Sequence, residues 1–265
     1  MLIISIANHK GGVGKTATTH ALGVLLAERL RVLLCDVDPQ GALTGACGVS
    51  DATPTLADVL NSTGTAKTVG AGRVSMRAVI RPLSDHLSIA PASIDLAASE
   101  LGLSARLGRE SVLKKALANV GNDFDVCLLD CPPSLGLLTV NALAASDAVL
   151  IPAQPTAQDA RALASFMASL ESIKAEINPA LQSLGVLFTF YDDRLTHHRA
   201  IADELQSAGV DILPMRIKRT VKAQEAAAAN QSVVTYASDN DITEAYRELS
   251  EVISKWLKRN QQQAR

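Results

Sequence analysis

Lys10-Gly11-Gly12-Val13-Gly14-Lys15-Thr16 lies between an apolar run, Leu2–Ala7, and a stretch, Lys15–Leu30, with Leu22, Leu25, Leu26 and Leu30 on one helical side. A short continuous apolar run reads as a strand buried on both faces. Glycines let backbone N–H groups turn toward an anion, and the following helix adds the positive end of its dipole. In that strand–loop–helix frame Lys15 reaches the β- and γ-phosphates of a bound nucleotide, and the Thr16 hydroxyl ligates Mg²⁺. The nucleotide site expected here is Lys10, Gly11, Gly12, Val13, Gly14, Lys15, Thr16 and Ala17.

Outward from this loop the pattern repeats. Arg31–Cys35 reads as a second buried strand ending at Asp36, which implies a right-handed parallel crossover. Further strands are expected at Leu87–Ala90, Val126–Leu129, Ala148–Ile151, Leu184–Phe190 and Val210–Leu213. Helices are expected at Gly136–Ala145, Gln158–Ile177, Thr196–Ser207 and about 241–260. Such alternation predicts an α/β fold: a mostly parallel sheet with helices on both faces. The Thr-, Gly- and Ala-rich stretch 49–81 is the least regular, and no linker splits the chain, so residues 1–265 read as one domain.

Hydrophobic residues make up 48% of the chain but aromatics only 3%, so the core must be built from Ala, Leu, Val and Ile. The net charge of -2 gives no global attraction to nucleic acid, and any such binding needs a local patch. Cys35, Cys127 and Cys131 sit in or beside apolar runs, and with Cys47 they lack metal-ligand spacing. They read as reduced cysteines of an intracellular protein. Leu2–Ala7 has no basic region before it and reads as no secretion signal, and no apolar stretch reaches the ~20 residues of a membrane span. A cytoplasmic location is expected.

Two acidic strand ends complete the site. Val32–Asp36 runs into Val37-Asp38-Pro39-Gln40, and carboxylates at the carboxyl end of a parallel strand face the ligand crevice. Strand alternation would aim Asp36 and Asp38 the same way. Val126–Leu129 ends at Asp130 and reads as Walker B, whose carboxylate holds Mg²⁺. Pro132-Pro133 then turns the chain out of the strand.

A lysine at position 10 before paired glycines resembles the deviant Walker A signature KGGxGK[ST] of the ParA/MinD family. Asp36–Gln40 resembles its switch I motif and Asp130–Pro133 its switch II. The stretches Ala90–Ala97, Cys131–Ala142 and Ile151–Pro155 also match, so the resemblance covers nearly the whole chain and points to ParA partition ATPases. It implies ATP and Mg²⁺ as cofactors and a homodimer formed with ATP, in which Lys10 crosses to the partner's nucleotide. It implies Lys10, Lys15 and Asp38 as catalytic, with Asp38 positioning the attacking water, and Asp36 supporting the metal shell of Thr16 and Asp130. The loop begins within ten residues of Met1, so no operator-reading domain is expected upstream. His9, Ala17 and Asp239-Asn240-Asp241 depart from the family pattern, the last where the family often carries an arginine.

Two basic runs are candidates for DNA. One holds Arg216, Lys218, Arg219 and Lys222; the other holds Lys255, Lys258, Arg259 and Arg265. Such runs are also found on ordinary solvated faces. The resemblance implies non-specific double-stranded DNA as a partner, contacted by Arg216, Arg219, Lys222, Lys255 and Arg259, and a nucleoid-associated location. It also implies a ParB-like or cargo-adaptor activator protein, and as cargo a plasmid, a chromosome origin or a protein organelle such as a carboxysome. Leu249, Val252, Ile253, Trp256 and Leu257 share one helical face. That face predicts a helix packed on the domain, with no membrane partner. A membrane-surface helix of the MinD type is the alternative, as is a metabolic ATPase of the same superfamily.

Overall fold

The computed structural model describes residues 1–50, 52–62 and 74–263. Residues 51 and 63–73 of the irregular stretch, and Arg265, lie outside the described residues. Among those described, the order is β1 (Leu2–Ile6), α1 (Lys15–Leu26), β2 (Val32–Asp36), α2 (Ala42–Ala46), α3 (Leu56–Ser62), α4 (Met76–Val79), β3 (Arg81–Pro82), β4 (Leu87–Ala90), α5 (Asp95–Ser104), α6 (Val112–Ala118), β5 (Val126–Asp130), α7 (Leu137–Ala145), β6 (Ala148–Ala153), α8 (Ala157–Glu176), β7 (Gln182–Tyr191), α9 (Thr196–Ser207), β8 (Ile212–Lys218), α10 (Lys222–Ala228), α11 (Val233–Tyr236) and α12 (Asp241–Gln263).

The strands form a single sheet in the order β3-β4-β2-β5-β1-β6-β7-β8. Every pairing is parallel except β3 with β4, a short antiparallel edge that the sequence did not announce. β5 is inserted between β1 and β2, and the register sets Ile6, Asp130 and Asp36 at one level. The glycine loop and both acidic strand ends therefore open into one crevice at the carboxyl edge of the sheet, where the chain order changes direction.

Side-chain alternation divides the core in two. Ile4, Ile6, Leu34, Leu128 and Leu150 point toward α1 and α12, while Leu33, Cys35, Cys127, Leu129 and Val149 point to the layer of α6, α7 and α8. Cys35, Cys127 and Cys131 are buried and unbridged, as expected for reduced core residues. On α12 the face of Leu249, Ile253, Trp256 and Leu257 is buried, and the Trp256 indole N–H donates to Gln182 at 2.9 Å. Among the described residues no helix is long and apolar enough to cross a membrane.

Most boundaries move by a residue or two, and two differ more widely from the sequence reading. α1 stops at Leu26 rather than Leu30, because the N–H groups of Glu28 and Arg29 tighten onto carbonyls three residues back, those of Leu25 and Leu26. The last strand is Ile212–Lys218 rather than Val210–Leu213. It is an edge strand covered on one face, so buried Leu213, Met215 and Ile217 alternate with Pro214, Arg216 and Lys218. A search for continuous apolar runs passes over that pattern.

α1 lies close on the sheet because Gly23 faces β2. A Cβ there would stand 2.6 Å from Leu34 Cδ2, inside the core. Gly23→Ala gains about 1 kcal/mol of helix propensity but overpacks the interface by about 1–3 kcal/mol. The expected result is a lower urea midpoint, recovered when Leu34→Val is added; a midpoint above the parent's would refute the packing argument.

Candidate nucleotide and magnesium site

Loop, α1 and β5 meet around one buried carboxylate. Gly12 and Gly14 have φ of 72° and 81°, left-handed values that a side chain resists, and they carry the loop tightly around the N-terminus of α1. The Lys15 ammonium folds back and donates to the Lys10 carbonyl at 2.9 Å. Lys15 is buried, which lowers its pKa, while the Asp130 charge pulls the other way. The Thr16 hydroxyl donates to Asp130 Oδ2 at 2.7 Å, and Thr19 donates to Oδ1 at 3.2 Å.

Asp130 and Asp36 are both fully buried neighbours. Loss of water raises the pKa of each, and for Asp130 the Asp36 charge adds to the effect. Among the described residues no lysine or arginine forms an ion pair with either. A hard cation suits this oxygen-only pair of hydroxyl and carboxylate. Magnesium commonly takes one or two protein oxygens and completes its shell with phosphate and water. The residues therefore fit Mg²⁺ at Thr16 and Asp130.

Asp36 is positioned differently from the sequence expectation. Its Oδ2 accepts from the Thr44 N–H and hydroxyl at 2.8 and 2.7 Å, and its Oδ1 accepts from the Asp38 N–H at 3.2 Å. The carboxylate is turned to the loop entering α2, and it does not line the cavity. Asp36 closes β2, so strand alternation does not extend to Asp38, which sits in the turn beyond. Asp38 alone of the pair borders the cavity, with its Oδ1 accepting the Gln40 N–H at 2.9 Å.

That cavity measures about 470 Å³. Gly11, Gly12, Gly14, Lys15, Thr16 and Ala17 line its floor, Asp38 and Pro133 one end, and Phe190, Ala223 and Ala227 the other. Val13 is buried, and its carbonyl is gripped by the Thr189 hydroxyl at 2.9 Å. The Gln154 amide grips the Gly12 carbonyl at 2.9 Å. The sequence does not mark these two clamps, from β7 and from the turn after β6, as loop supports. Gln154 falls within the Ile151–Pro155 match, which is the one signal that could have found it. α10 and α11, which wall the apolar end, escape a sequence reading because Ala223–Ala229 carries no amphipathic period.

Lys10 points away from the cavity. Its Nζ bonds Asp159 Oδ2 at 2.7 Å, near the start of α8, where Thr156 caps the helix by accepting the Asp159 N–H. Asp159 is 2% exposed, and its other oxygen has no hydrogen-bond partner. The lysine of the signature is thus held within its own chain by a buried carboxylate that sequence reading passes over.

The five DNA candidates do not form one patch. Arg216 lies over the Tyr191 ring, 4.5 Å from its centroid, and is half-buried. Lys218 pairs with Asp193 and Asp241, and Lys222 with Glu225, so the run that is free of acids in sequence meets acids in space. Arg219 is exposed, and among the described residues it forms no ion pair. Lys255 and Arg259 are exposed on α12 about 14 to 18 residues beyond Asp241, which at ~1.5 Å per residue is more than about 20 Å away. Lys255 lies toward the amino ends of the strands, beside the end of α1, and the adjoining Trp256 bonds Gln182 at the start of β7.

Comparison with known proteins agrees with this geometry. The family described as an AAA domain matches residues 1–183. The chromosome-partitioning ATPase Soj of Thermus thermophilus is 35% identical over 253 residues, covering 94% of this chain and 94% of its own. Cobyrinic acid a,c-diamide synthase of Mycobacterium smegmatis, solved with ADP and magnesium and with an ATP analog and magnesium, is 34% identical with a TM-score of 0.83. That match covers 97% of this chain and 96% of the other. The cell division ATPase MinD of Pyrococcus furiosus superposes with a TM-score of 0.77 at 26% identity, covering 96% and 99%. A glycine loop opening on a paired hydroxyl and buried carboxylate, in a sheet shared with these relatives, places the chain in the ParA/MinD family of P-loop ATPases, on its ParA/Soj side.

Proposed function

We propose that this chain is an ATPase that dimerises around ATP, binds DNA non-specifically and positions or segregates a cargo. The observation that carries this reading is the division of labour between the two loop lysines. Lys15 lies within its own cavity, whereas Lys10 points outward and is held by Asp159. A second lysine outside the cavity adds nothing to the nucleotide contacts of its own chain. Across a dimer it offsets the charge that two facing triphosphates bring together.

In this reading ATP lies along the loop with its phosphates toward Thr16 and Asp38. A magnesium ion held by Thr16 and Asp130 would neutralise charge on the β- and γ-phosphates. Asp38, at the phosphate end of the cavity, orients the attacking water. Asp36 is a positioning residue that fixes the loop between Asp38 and Thr44. Dimer closure brings basic residues of two subunits to one duplex, raising affinity by avidity and phosphate contact. A ParB-like or cargo-bound activator stimulates hydrolysis and releases the dimer from the nucleoid. The name of the Thermus relative supports partition; a plasmid, a chromosome origin and a protein organelle are all compatible cargoes.

One observation favours a second reading, a metabolic ATPase: the 34% identical solved relative bears the name of a synthase. That reading expects turnover only with a small acceptor substrate and no nucleotide-dependent retention on DNA.

Lys15→Gln is expected to abolish ATP-dependent dimerisation measured by light scattering, and persistence of the dimer would refute the site assignment. Freeing Lys10 leaves the Asp159 carboxylate buried without its cation, a cost of roughly 3 kcal/mol. Asp159→Asn removes that cost, so the ATP dimer should form at roughly tenfold or more lower protein concentration. A weakened dimer in sedimentation equilibrium would sink the idea that Lys10 leaves Asp159. Arg219→Glu should weaken retention on DNA with ATP and reduce the salt slope by about one for each phosphate no longer neutralised, with ATP affinity changed less than about fivefold. Unchanged DNA co-sedimentation at two salt concentrations would show the footprint to be misplaced.

A further inference from the structure

The apolar end of the cavity and the exposed Arg219 share one side chain. Phe190, the next-to-last residue of β7, has φ of 52°, a left-handed value that is sterically costly for a residue with a side chain. The ring borders the nucleotide cavity, and its edge reaches Gly14, where an added Cβ would lie 3.8 Å from Phe190 Cε2. Its face carries the Arg219 guanidinium, 5.4 Å from the ring centroid. A second, smaller cavity that reaches Lys218 and Thr220 shares Gly14, Ala17, Ala223 and the Phe190 ring with the first, so Phe190 stands where the nucleotide cavity meets the end of β8. The preceding residue, Thr189, donates to the Val13 carbonyl at 2.9 Å, which ties this strand end to the glycine loop.

The direction of the nucleotide follows from the lining. Asp38 and the Thr16–Asp130 pair mark the phosphate end, so the base must extend past Ala17 toward Phe190, Ala223 and Ala227. Phe190, Ala223 and Ala227 offer no hydrogen bond, Gln231 adds an amide to the lining, and Phe190 and His20 are its two aromatic rings, of which Phe190 is the apolar one. An aromatic face stacks on a base, and a guanidinium over the same ring is drawn to its quadrupole. We propose that Phe190 is a positioning residue that stacks the purine of the bound nucleotide and, through its contact with Arg219, sets where that arginine stands. Seating the base fixes the ring; fixing the ring fixes the guanidinium. A purine nucleotide is thereby distinguished from a pyrimidine one at the base, and the distinction reaches the basic end of β8. The link to DNA rests on the function proposed above, whereas the link from base to Arg219 does not.

The test uses the full chain with Mg²⁺ and either ATP or CTP, following the Arg219 Nε–Hε resonance by NMR alongside nucleotide affinity and DNA co-sedimentation. The resonance should shift with ATP and shift less with CTP. Phe190→Leu, which keeps an apolar group but removes the ring, should lower ATP affinity roughly five- to tenfold, the low end for base stacking. It should also narrow the ATP-to-CTP preference, remove most of the resonance shift at saturating ATP, and reduce DNA retention several-fold. Phe190→Tyr keeps the ring and should restore all four, which separates the effect from misfolding. An Arg219 resonance that responds to ATP equally in the parent and in Phe190→Leu overturns the inference, as does an unchanged ATP-to-CTP preference. A parent chain whose Arg219 responds to ATP but which retains no DNA sinks the DNA reading and leaves the Phe190 link standing.

Discussion

Asp130 is a carboxylate at the end of a central strand, sealed from solvent and with no lysine or arginine in ion-pair contact among the described residues. Its neighbour in register, Asp36, carries a second buried carboxyl. Two such groups in a dry setting are unfavourable unless something positive or strongly polar faces them. The structure supplies the hydroxyls of Thr16 and Thr19, the backbone and hydroxyl of Thr44, and the Lys15 charge nearby. What remains is an electrostatic demand that a hard cation meets. The glycine loop, the insertion of β5 between β1 and β2, and the first turn of α1 all bring donors to this point.

The loop itself is held from outside. A loop of glycines carries high conformational entropy, and its left-handed turns persist only when neighbours fix them. Gln154 and Thr189 take the Gly12 and Val13 carbonyls, and Asn8 accepts the Lys10 N–H at 3.1 Å while donating to the Pro152 carbonyl at 2.8 Å. Each support stands at the carboxyl end of a strand on the β6–β7 side or on the loop's own flank. The side of the cavity at Asp38 and Pro133, by contrast, is bordered by the turns that carry those residues. One side of the site is braced and the other is built from turns, an arrangement suited to a structure that changes when a phosphate leaves.

Charge is arranged in space differently from its arrangement along the chain. The basic segment around Arg216–Lys222 has no acid within it, yet Asp193 and Asp241 reach Lys218 from other elements, and Glu225 pairs with Lys222 one turn along α10. Asp241 belongs to the acidic stretch that departs from the family pattern, and it pairs with Lys218. Lys10 likewise looks free in sequence and is bound to Asp159, 149 residues away.

The parallel sheet, the glycine loop and the buried acidic end of β5 are legible in the order of residues alone. These are local in physical origin: buried strands need continuous apolar runs, and tight turns need glycine. It took the folded chain to show that Asp36 turns to Thr44 while Asp38 borders the cavity, that Lys10 belongs to Asp159, and that Phe190 stands between the cavity and Arg219. Folding also separates the basic residues of α12 from those of β8, by more than about 20 Å along one helix. Each of these depends on which side chain a distant segment brings within reach, and a carboxylate or a ring carries no sign of its future partner in the residues beside it. Local pattern fixes what an element is, whereas long-range packing fixes whom its polar groups meet.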